Sequence, residues 1–525
     1  MFPRHRWPAA LFIAAALAWL PALISPGYID DEGIYGVVAR EIFHGGLPYV
    51  DAIERKPPLL FYVYAWTFHL AGGVNWLALH IVAFLWVLAT MAGIHRFALA
   101  AFDRDVARTA ALLYGVFLPF GYFKNFAFNG EVMMNLPVVW AYALALGGRR
   151  HPVLQGSRAA ASGALLALAF LFKQPAAIAA IPLGLYFLAW PWHSGSTPPD
   201  HDGRPGPLLS SVRIGVLLAG AFTLGFAGVL GACALLLDRM GILEPALHWT
   251  VFDHDVPHGP GDPIFWFRAS VTLGVAALWL PLSTAAALAV AGPLRLQSAP
   301  HRWLLLGLLG ASFVGVATPG RFYPHYFIQL LPALTWLAAP VLAPHWFARG
   351  RSNMSQTSGV GWRRVLLSPW LAAALALSFC GYGVFQQWPR SHPDPTSEAI
   401  KRLTSPEDRI FIWGQGTKYY LRADRRPASR FIATFPLTGY IFGSPKSWDP
   451  TFDTSDRILP GAWDTLMAEL TTDPPRLIVD HDGARTVPRY PMRNYPQLWN
   501  LIEREYERVA DTPEGILYLR KSSER

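Results

Sequence analysis

The chain has 525 residues, of which 53% are hydrophobic and only 15% are charged. Soluble proteins carry about 25% charged residues, and the mean hydropathy here is +0.27, so the composition excludes an ordinary soluble protein and indicates a polytopic membrane protein. The net charge of +9 does not indicate nucleic-acid binding, because the basic residues lie in short loops between apolar stretches. Cys233 and Cys380 lie inside such stretches and form neither a disulfide framework nor a metal site.

Apolar stretches of membrane-spanning length recur along the first three quarters of the chain. The sequence predicts roughly eleven spans, and the shortest, at 159–172, crosses only a thin bilayer or a tilted path. They lie near 8–24, 74–95, 107–123, 132–147, 159–172, 175–191, 212–237, 268–290, 303–318, 325–343 and 366–385. The N-terminal stretch has no convincing cleavage site, so it is interpreted as a retained span and not as a signal peptide.

Lysine and arginine are distributed unequally between alternate loops. With the N-terminus in the cytoplasm, the inside loops hold many more of these residues than the outside loops, as positive-inside topology requires. The outside cations are Arg40, Arg55, Lys56, Lys124, Lys173, Arg239, Arg268 and Arg321. Because they are few, each of them requires its own explanation.

The first outside loop contains two predicted short helices. Ile34, Val38 and Ile42 recur at a spacing of four, while Arg40 and Glu41 are expected to face away from this apolar stripe. The pattern predicts a helix that lies on the membrane surface. Pro57-Pro58, followed by an apolar run, predicts the start of a second helix.

The composition becomes polar after about residue 388. The chain is therefore predicted to contain a transmembrane domain at 1–388 and an extracytoplasmic α/β domain at 389–525. Predicted strands lie at Arg409–Trp413, Arg476–Val479 and Gly515–Leu519, and predicted helices lie at Trp463–Leu470 and Leu498–Val509.

Three consecutive carboxylates, Asp30, Asp31 and Glu32, open the first outside loop. A carboxylate there can act as a general base toward an acceptor hydroxyl. The alternative is a helix N-cap, because acidic residues favour the start of a helix. Both interpretations hold together if one residue caps the helix and another is catalytic.

Three outside cations lie close to a proline that begins an apolar helix. Lys56 precedes Pro57, Lys173 is followed by Gln174-Pro175, and Arg321 lies three residues before Pro324. A cation beside a helix N-terminus favours phosphate binding, whereas a single interfacial lysine more often snorkels to the lipid surface. The neighbouring His325 is a candidate for phosphate or sugar binding, with a structural role as the alternative.

The second outside loop ends in Asn129-Gly130-Glu131. Glu131 is a candidate to share a metal, to orient the acceptor or to cap the following helix. A longer outside loop holds His248, Asp253, His254, Asp255 and His258, but their spacing matches no tight zinc pattern. That loop is interpreted as a solvated segment near the substrate entrance.

Together these motifs resemble the GT-C class of polyprenyl-phosphate-sugar-dependent glycosyltransferases. The likeness is to the protein O-mannosyltransferase superfamily, including the aminoarabinose lipid A transferases and the Rgt-type lipopolysaccharide transferases. It covers most of the chain in order. Its motifs are Asp31-Glu32, Lys56 to Leu59, Asn129 to Glu131, Lys173 to Pro175, Arg321 to Pro332 and Asp408 to Arg430.

The resemblance implies a GT-C fold and assigns roles to the motif residues. Asp31 would be the base, with Asp30 and Glu32 as alternatives, and Lys56, Lys173 and Arg321 would hold the lipid phosphate. Arg55 and His325 are further donor-binding candidates, and Asn129 and Glu131 would orient the acceptor. Some members of the class use a divalent metal, so Mg, Mn or Zn at Asp31 and Glu131 stays open.

The expected activity is inverting transfer of a sugar from a polyprenyl phosphate to a cell-envelope acceptor hydroxyl. The acceptor is a lipid, a glycan or a protein, and the reaction is expected on the outer face of the cytoplasmic membrane. The alternative is a transporter or flippase for lipid-linked sugars. That alternative predicts internal repeats and helices broken near the bilayer midplane.

Overall fold

The computed structural model describes most of the chain. The described residues are 19–24, 31–119, 127–146, 152–194, 208–252, 260–261, 263–291, 299–343, 381–382, 384–385, 393–439, 453–484 and 490–522. Of the predicted spans, the first is described only at 19–24 and the last, at 366–385, lies almost entirely outside these ranges.

Helices dominate the chain up to residue 343. Two short helices come first, α1 (Glu32–Phe43) and α2 (Pro58–Ala71). The helices that follow are Trp76–Ala101, Arg104–Phe117, Gly130–Leu146, Pro152–Phe172, Ala180–Leu188, Leu208–Arg239, Pro263–Ala269, Val271–Leu278, Leu280–Ala291, Ala299–Ala317 and Leu331–Leu342. Shorter segments are the 3₁₀ turns Gln174–Ala179 and Pro324–Leu330, the π-helical turn His248–Phe252, and the helices Trp190–Ser194 and Leu243–Leu247.

The chain divides into two compact units. The first comprises Met1–Pro26, Leu79–Leu237 and Pro257–Gln387, and the second comprises Gly27–Ala78, Asp238–Val256 and Trp388–Arg525. The second unit therefore contains both the first outside loop and the C-terminal segment. The boundary predicted at residue 388 assigns these two segments to different domains.

The first unit is built from apolar helices around a buried aromatic core. Trp336 stacks on Phe97 with ring centroids 3.9 Å apart, and its indole nitrogen donates to the carbonyl of Ile94 at 3.0 Å. This hydrogen bond satisfies the polar end of a fully buried ring. The helix Gly130–Leu146 packs along Pro152–Phe172, and Leu331–Leu342 packs along both Leu280–Ala291 and Arg104–Phe117.

Within the described residues, four helices are long and apolar enough to cross a membrane. They are Trp76–Ala101, Leu154–Phe172, Leu209–Arg239 and Pro324–Leu342. The total of eleven spans stays a prediction. Two predicted spans need correction. The helix predicted at 107–123 is described at Arg104–Phe117, and the span predicted at 268–290 consists of two helices bent by 90°.

The bend follows from the local sequence. Pro281 is the second residue of the helix Leu280–Ala291, and proline has no backbone N–H to continue the preceding helix. Trp279, which lies at the break, is 3% exposed and anchors the bend in the protein interior.

The second unit contains a five-stranded sheet with the strand order β2-β1-β3-β5-β4. The strands are β1 (Arg409–Trp413), β2 (Arg426–Pro427), β3 (Leu477–Asp480), β4 (Tyr506–Thr512) and β5 (Gly515–Arg520). β1 runs parallel to β2 and β3, whereas β5 is antiparallel to β3 and β4. The helices of this segment are Pro395–Leu403, Lys418–Arg422, Phe435–Thr438, Ala462–Thr472 and Pro496–Glu505.

Most predicted elements of this segment are present, with one error. The predicted helix Leu498–Val509 ends at Glu505, and Tyr506 begins β4. β4 pairs with β5, with Tyr506 opposite Arg520. The amphipathic pattern of the helix runs into the strand, so only the pairing with β5 marks where one ends and the other begins.

Candidate active site

The two short helices of the first outside loop, α1 and α2, pack against each other. Near the start of α1, Tyr35 contacts Phe61 and Tyr64 of α2, with centroid distances of 6.3 and 5.9 Å. At the end of α1, Phe43 lies 6.0 Å from His69. Aromatic contacts therefore join α1 to α2 from the first turn of α1 to its last residue.

The predicted catalytic carboxylates lie at the N-terminal end of α1. Asp31 precedes the helix and its carbonyl accepts hydrogen bonds from Ile34 and Tyr35, but its side chain makes no capping hydrogen bond. Asp31 is half-buried, whereas Glu32 in the first helical turn is fully buried. Burial, and then the charges of Glu32 and Asp31, raise the pKa of the Tyr64 hydroxyl well above its ordinary value. Asp30 lies outside the described residues.

The predicted cations Arg55 and Lys56 lie just before α2. Pro58 is the first residue of that helix, as the sequence predicts. The Lys56 ammonium is 3.5 Å from the Glu54 carboxylate, and the Lys56 carbonyl accepts a hydrogen bond from the Tyr49 hydroxyl at 2.8 Å. The Arg55 guanidinium lies 4.2 Å above the centre of the Phe435 ring. Lys56 keeps a partly exposed ammonium at the helix N-terminus, whereas Arg55 packs on an aromatic ring.

Glu131 and Lys173 form a buried ion pair in the other unit. Both residues are less than a tenth exposed. Neighbouring Asn129 accepts a hydrogen bond from the Val132 backbone at 3.1 Å, so the amide caps this helix and leaves the Glu131 carboxylate to Lys173. Gly130 permits the close approach, since a Cβ there would lie 3.2 Å from the Lys173 side chain.

Aromatic side chains from the turn after the predicted ninth span surround this ion pair. The Lys173 ammonium lies 4.1 Å above the centre of the Tyr326 ring. His325 is buried, and its Nε2 is 3.8 Å from the Glu131 carboxylate. The imidazole is nearly parallel to the Tyr323 ring, with centroids 5.6 Å apart. The sequence indicates His325 as a candidate but neither Tyr323 nor Tyr326, because aromatic residues at a membrane boundary are common.

Arg268 extends the same aromatic group. It is 6% exposed, and its guanidinium carbon lies 5.9 Å from the centre of the Tyr323 ring. One sequence signal points to this residue, since Arg268 is among the few cations assigned to outside loops. Nothing in the local pattern indicated its proximity to the Tyr323 ring.

Arg321 lies in a tight turn at the end of the helix Ala299–Ala317. Its neighbours Gly320 and Phe322 both have positive φ angles, of 64° and 45°. A positive φ is unfavourable for a bulky residue such as phenylalanine, but Phe322 is buried and its ring centroid lies 5.3 Å from that of Phe265. Arg321 itself is half-buried.

The structure thus places the predicted site residues in two groups, one in each unit. Asp31, Glu32, Arg55 and Lys56 belong to the second unit, and Asn129, Glu131, Lys173, Arg321 and His325 belong to the first. In the long outside loop, His248 begins a π-helical turn, whereas Asp253, His254, Asp255 and His258 lie outside the described residues.

The described side chains do not form a metal site of the usual kind. Among the described residues, no three His, Cys, Asp or Glu side chains lie close enough together to hold a metal ion. Glu131 also fits poorly as a metal ligand, because its charge is already balanced by the adjacent Lys173 ammonium, which would repel a divalent cation.

Comparison with known proteins finds one family model that matches part of the chain, and solved structures with a similar fold. The sequence model of the family described as dolichyl-phosphate-mannose-protein mannosyltransferase matches residues 55–198. No curated protein matches the chain significantly.

Three solved structures resemble the whole chain. ArnT from Cupriavidus metallidurans bound to undecaprenyl phosphate has a TM-score of 0.61 and 14% identity, over 99% of each chain. The apo form of that protein has a TM-score of 0.58 and 16% identity, over 97% of each chain. The Archaeoglobus fulgidus oligosaccharyltransferase tethered to an acceptor peptide has a TM-score of 0.51 and 13% identity, over 99% of this chain and 74% of that one.

These identities are low, so the structural matches establish the fold alone. The apolar helices agree with a membrane protein. The family match over residues 55–198 and the shared fold confirm the resemblance that the motifs indicate: the chain has the fold of ArnT and of the archaeal oligosaccharyltransferase.

Proposed function

We propose that the chain is an inverting glycosyltransferase that uses a polyprenyl-phosphate sugar and acts on the outer face of the cytoplasmic membrane. The observation that carries the proposal is the packing of α1 on α2, through Tyr35, Tyr64, Phe43 and His69. The helix that begins beside Asp31 and the helix that begins just after Lys56 therefore belong to one compact unit. A base and a phosphate-binding cation are needed near one lipid headgroup.

Asp31 is the base in this proposal. A general base must reach the hydroxyl proton that it removes, and Asp31 is half-buried whereas Glu32 has no exposed surface. The acceptor oxygen attacks the anomeric carbon as its proton passes to the Asp31 carboxylate. The bond from that carbon to the phosphate oxygen breaks, and the lipid phosphate leaves with inversion of the sugar.

Lys56, Lys173 and Arg321 bind the lipid phosphate, with Arg55 and His325 as further donor-binding residues. Negative charge grows on the leaving phosphate in the transition state, so fixed cations stabilise that state more than the ground state. The Lys173 ammonium is held in place by Glu131 and Tyr326. Such a fixed cation needs little reorganisation during the reaction. Glu131 and Asn129 have the supporting role, since they orient Lys173 and the helix that follows.

The donor class has one structural precedent, because the similar ArnT structure contains undecaprenyl phosphate. The acceptor class is less defined. The similar oligosaccharyltransferase carries a tethered acceptor peptide. A protein hydroxyl group is therefore kept beside lipid and glycan hydroxyl groups as a proposed acceptor.

The test uses the purified full chain in lipid nanodiscs with a bacterial membrane extract. Labelled undecaprenyl-phosphate mannose and undecaprenyl-phosphate aminoarabinose serve as donor probes. The proposal predicts release of undecaprenyl phosphate together with transfer of label to an extracted acceptor. Asp31→Asn should lower the rate by about 10²–10⁴-fold, whereas Asp238→Asn, at an exposed carboxylate of the same unit, should not. Full activity of Asp31→Asn would remove Asp31 from the base role.

A transporter or flippase for lipid-linked sugars is the second candidate, and one observation favours it. The helices Phe265–Leu278 and Leu280–Ala291 meet at 90°, and broken helices are typical of transporter binding sites. The same assay separates the two functions, because a flippase moves the intact donor between leaflets and releases no lipid phosphate. Chelation by EDTA in this assay tests the metal requirement.

A further inference from the structure

Two charged residues near the C-terminal end of α1 are buried, contrary to the sequence-based expectation. Arg40 and Glu41 are each 2% exposed, although the helical pattern predicts that both face away from the apolar stripe. Both lie in the compact unit that also contains the five-stranded sheet.

Each buried charge has partners from that sheet segment. The Arg40 guanidinium donates to the carbonyl of Tyr420 at 2.8 Å and to the carbonyl of Arg425. Glu41 accepts from Nε and Nη2 of Arg426, at 3.1 and 2.5 Å. Arg426 is the first residue of the edge strand β2. The C-terminal end of α1 is therefore fastened to the edge of the sheet.

The energetics make this attachment specific. A buried ion that loses its partner keeps its desolvation cost, so removing one partner of a buried pair is strongly destabilising. The Arg40 guanidinium and the Glu41 carboxylate have these partners only when α1 lies against Tyr420, Arg425 and Arg426. A different position of α1 on the sheet would leave two charges buried without partners.

The segment between α1 and α2 is fastened to residues that follow β2. The Ile53 backbone N–H donates to the carbonyl of Arg430 at 2.9 Å, and Arg55 packs on Phe435. In α1, Gly36 lies so close to Leu421 that an added Cβ would be 2.9 Å from the leucine side chain. Both ends of the α1–α2 connection are thus held by residues 420–435.

We propose that Arg40, Glu41 and Arg426 are positioning residues that set the location of the Asp31 carboxylate. This inference rests on the function proposed above. Asp31 and Arg40 are nine positions apart, which on an α-helix is about 14 Å, and a helix of this length acts as a stiff rod. Productive geometry requires catalytic groups to be held within about 0.5 Å. The sheet therefore contributes to the reaction by fixing the helix that carries the base.

Kinetics of charge variants test this role with the donor probe that the wild-type chain uses. Glu41→Gln and Arg426→Lys should each lower kcat by up to ~10²-fold, because a displacement of 1 Å can cost that much. KM for the donor, and binding of undecaprenyl phosphate measured separately, should stay unchanged. The exchanged pair Glu41→Arg with Arg426→Glu should recover much of the lost kcat, because it restores the ion pair between α1 and β2.

The matched control is Glu398→Gln, which breaks an exposed ion pair with Lys401 in the same unit and should leave kcat unchanged. If Glu41→Gln fails to fold, Arg426→Lys, which keeps the charge, decides the outcome. The inference would be overturned if Arg426→Lys had the wild-type kcat, or if kcat and lipid binding fell equally. Asp31→Asn would still test the role of the base independently. A wild-type chain without turnover would remove the proposed function and this inference together.

Discussion

Lys173 and Glu131 form a buried ion pair between residues that are 42 positions apart in the sequence. Lys173 directly follows the helix Pro152–Phe172, and Glu131 lies in the first turn of Gly130–Leu146. The pair therefore joins two packed helices at one end. The Lys173 ammonium contacts both the Glu131 carboxylate and the Tyr326 ring.

We expect Lys173→Met to destabilise the protein by about 3–5 kcal/mol, because it leaves the Glu131 carboxylate buried without its partner. The double variant with Glu131→Gln should lose less than the sum of the two single variants. The measurement is the free energy of unfolding in detergent during an SDS titration. As a control, Lys401→Met disrupts an exposed pair and should cost no more than about 1 kcal/mol. Additive losses at the two sites would show that they are not coupled.

Gly130→Ala tests the close contact beside this pair. An added Cβ would lie 3.1 Å from the carbonyl oxygen of Phe172 and 3.2 Å from the Lys173 side chain. We expect a loss of about 1–3 kcal/mol from overpacking, measured in the same titration. Gly156→Ala is the matched control, since nothing lies within 4 Å of its Cβ position and alanine should stabilise that helix by roughly 0.5–1 kcal/mol. Equal effects of the two substitutions would argue against the close helix contact.

Asp480 should make the stability of the sheet depend on pH. Its oxygens accept from the backbone of Gly483 at 2.7 Å and of Met492 at 3.2 Å, yet burial raises its pKa from 3.8 to about 6. The folded state therefore binds more protons than the unfolded state between these values. The free energy of unfolding is therefore highest below about pH 4 and falls by about 3 kcal/mol as the pH rises through 6.

Asp480→Asn removes this titration. We expect the free energy of opening of the wild-type sheet to fall relative to that of the variant between pH 4 and pH 7. The measurement is the hydrogen-exchange protection factor of the amides in Leu477–Asp480, recorded in the full chain at several pH values. Parallel curves for the two proteins would contradict the raised pKa.

Arg425→Lys tests an arginine whose role is structural. Its guanidinium donates to the side chain and the carbonyl of Thr404, at 2.8 and 2.7 Å, and to the carbonyl of Ala423 at 2.9 Å. Lysine cannot reproduce this planar set of donors, so we expect a loss of roughly 1–3 kcal/mol. Arg402→Lys, at an exposed position, serves as the control. Hydrogen exchange of β1 in both variants measures the difference, and unchanged protection in Arg425→Lys would refute the prediction.

The local elements of this protein could be read largely from its sequence. The spacing of Ile34, Val38 and Ile42 predicts α1, and Pro57-Pro58 predicts the start of α2. The strand Arg409–Trp413 is found where its apolar run predicts it. Helix periodicity and proline chemistry act between neighbours in the chain, so these features depend little on the rest of the fold.

Errors occur where a distant segment decides the structure. Tyr506–Val509 belongs to a strand because β5 pairs with it, although its pattern continues the preceding helix. The bend at Trp279 is a different case, because Pro281 gives it a local signal, but the span was predicted from the hydropathy of the whole stretch. Hydropathy measures the affinity of a segment for lipid, not its path through the protein.

The sequence by itself determined the membrane class, the presence of α1, the start of α2 at Pro58, and the residue types suited to a phosphate substrate. Only the tertiary structure decided that Arg40 and Glu41 are buried and that Glu131 is paired with Lys173. Glu41 meets Arg426 across 385 positions of the chain. A charged side chain is stable in the interior only beside its partner, and folding brings such distant partners together.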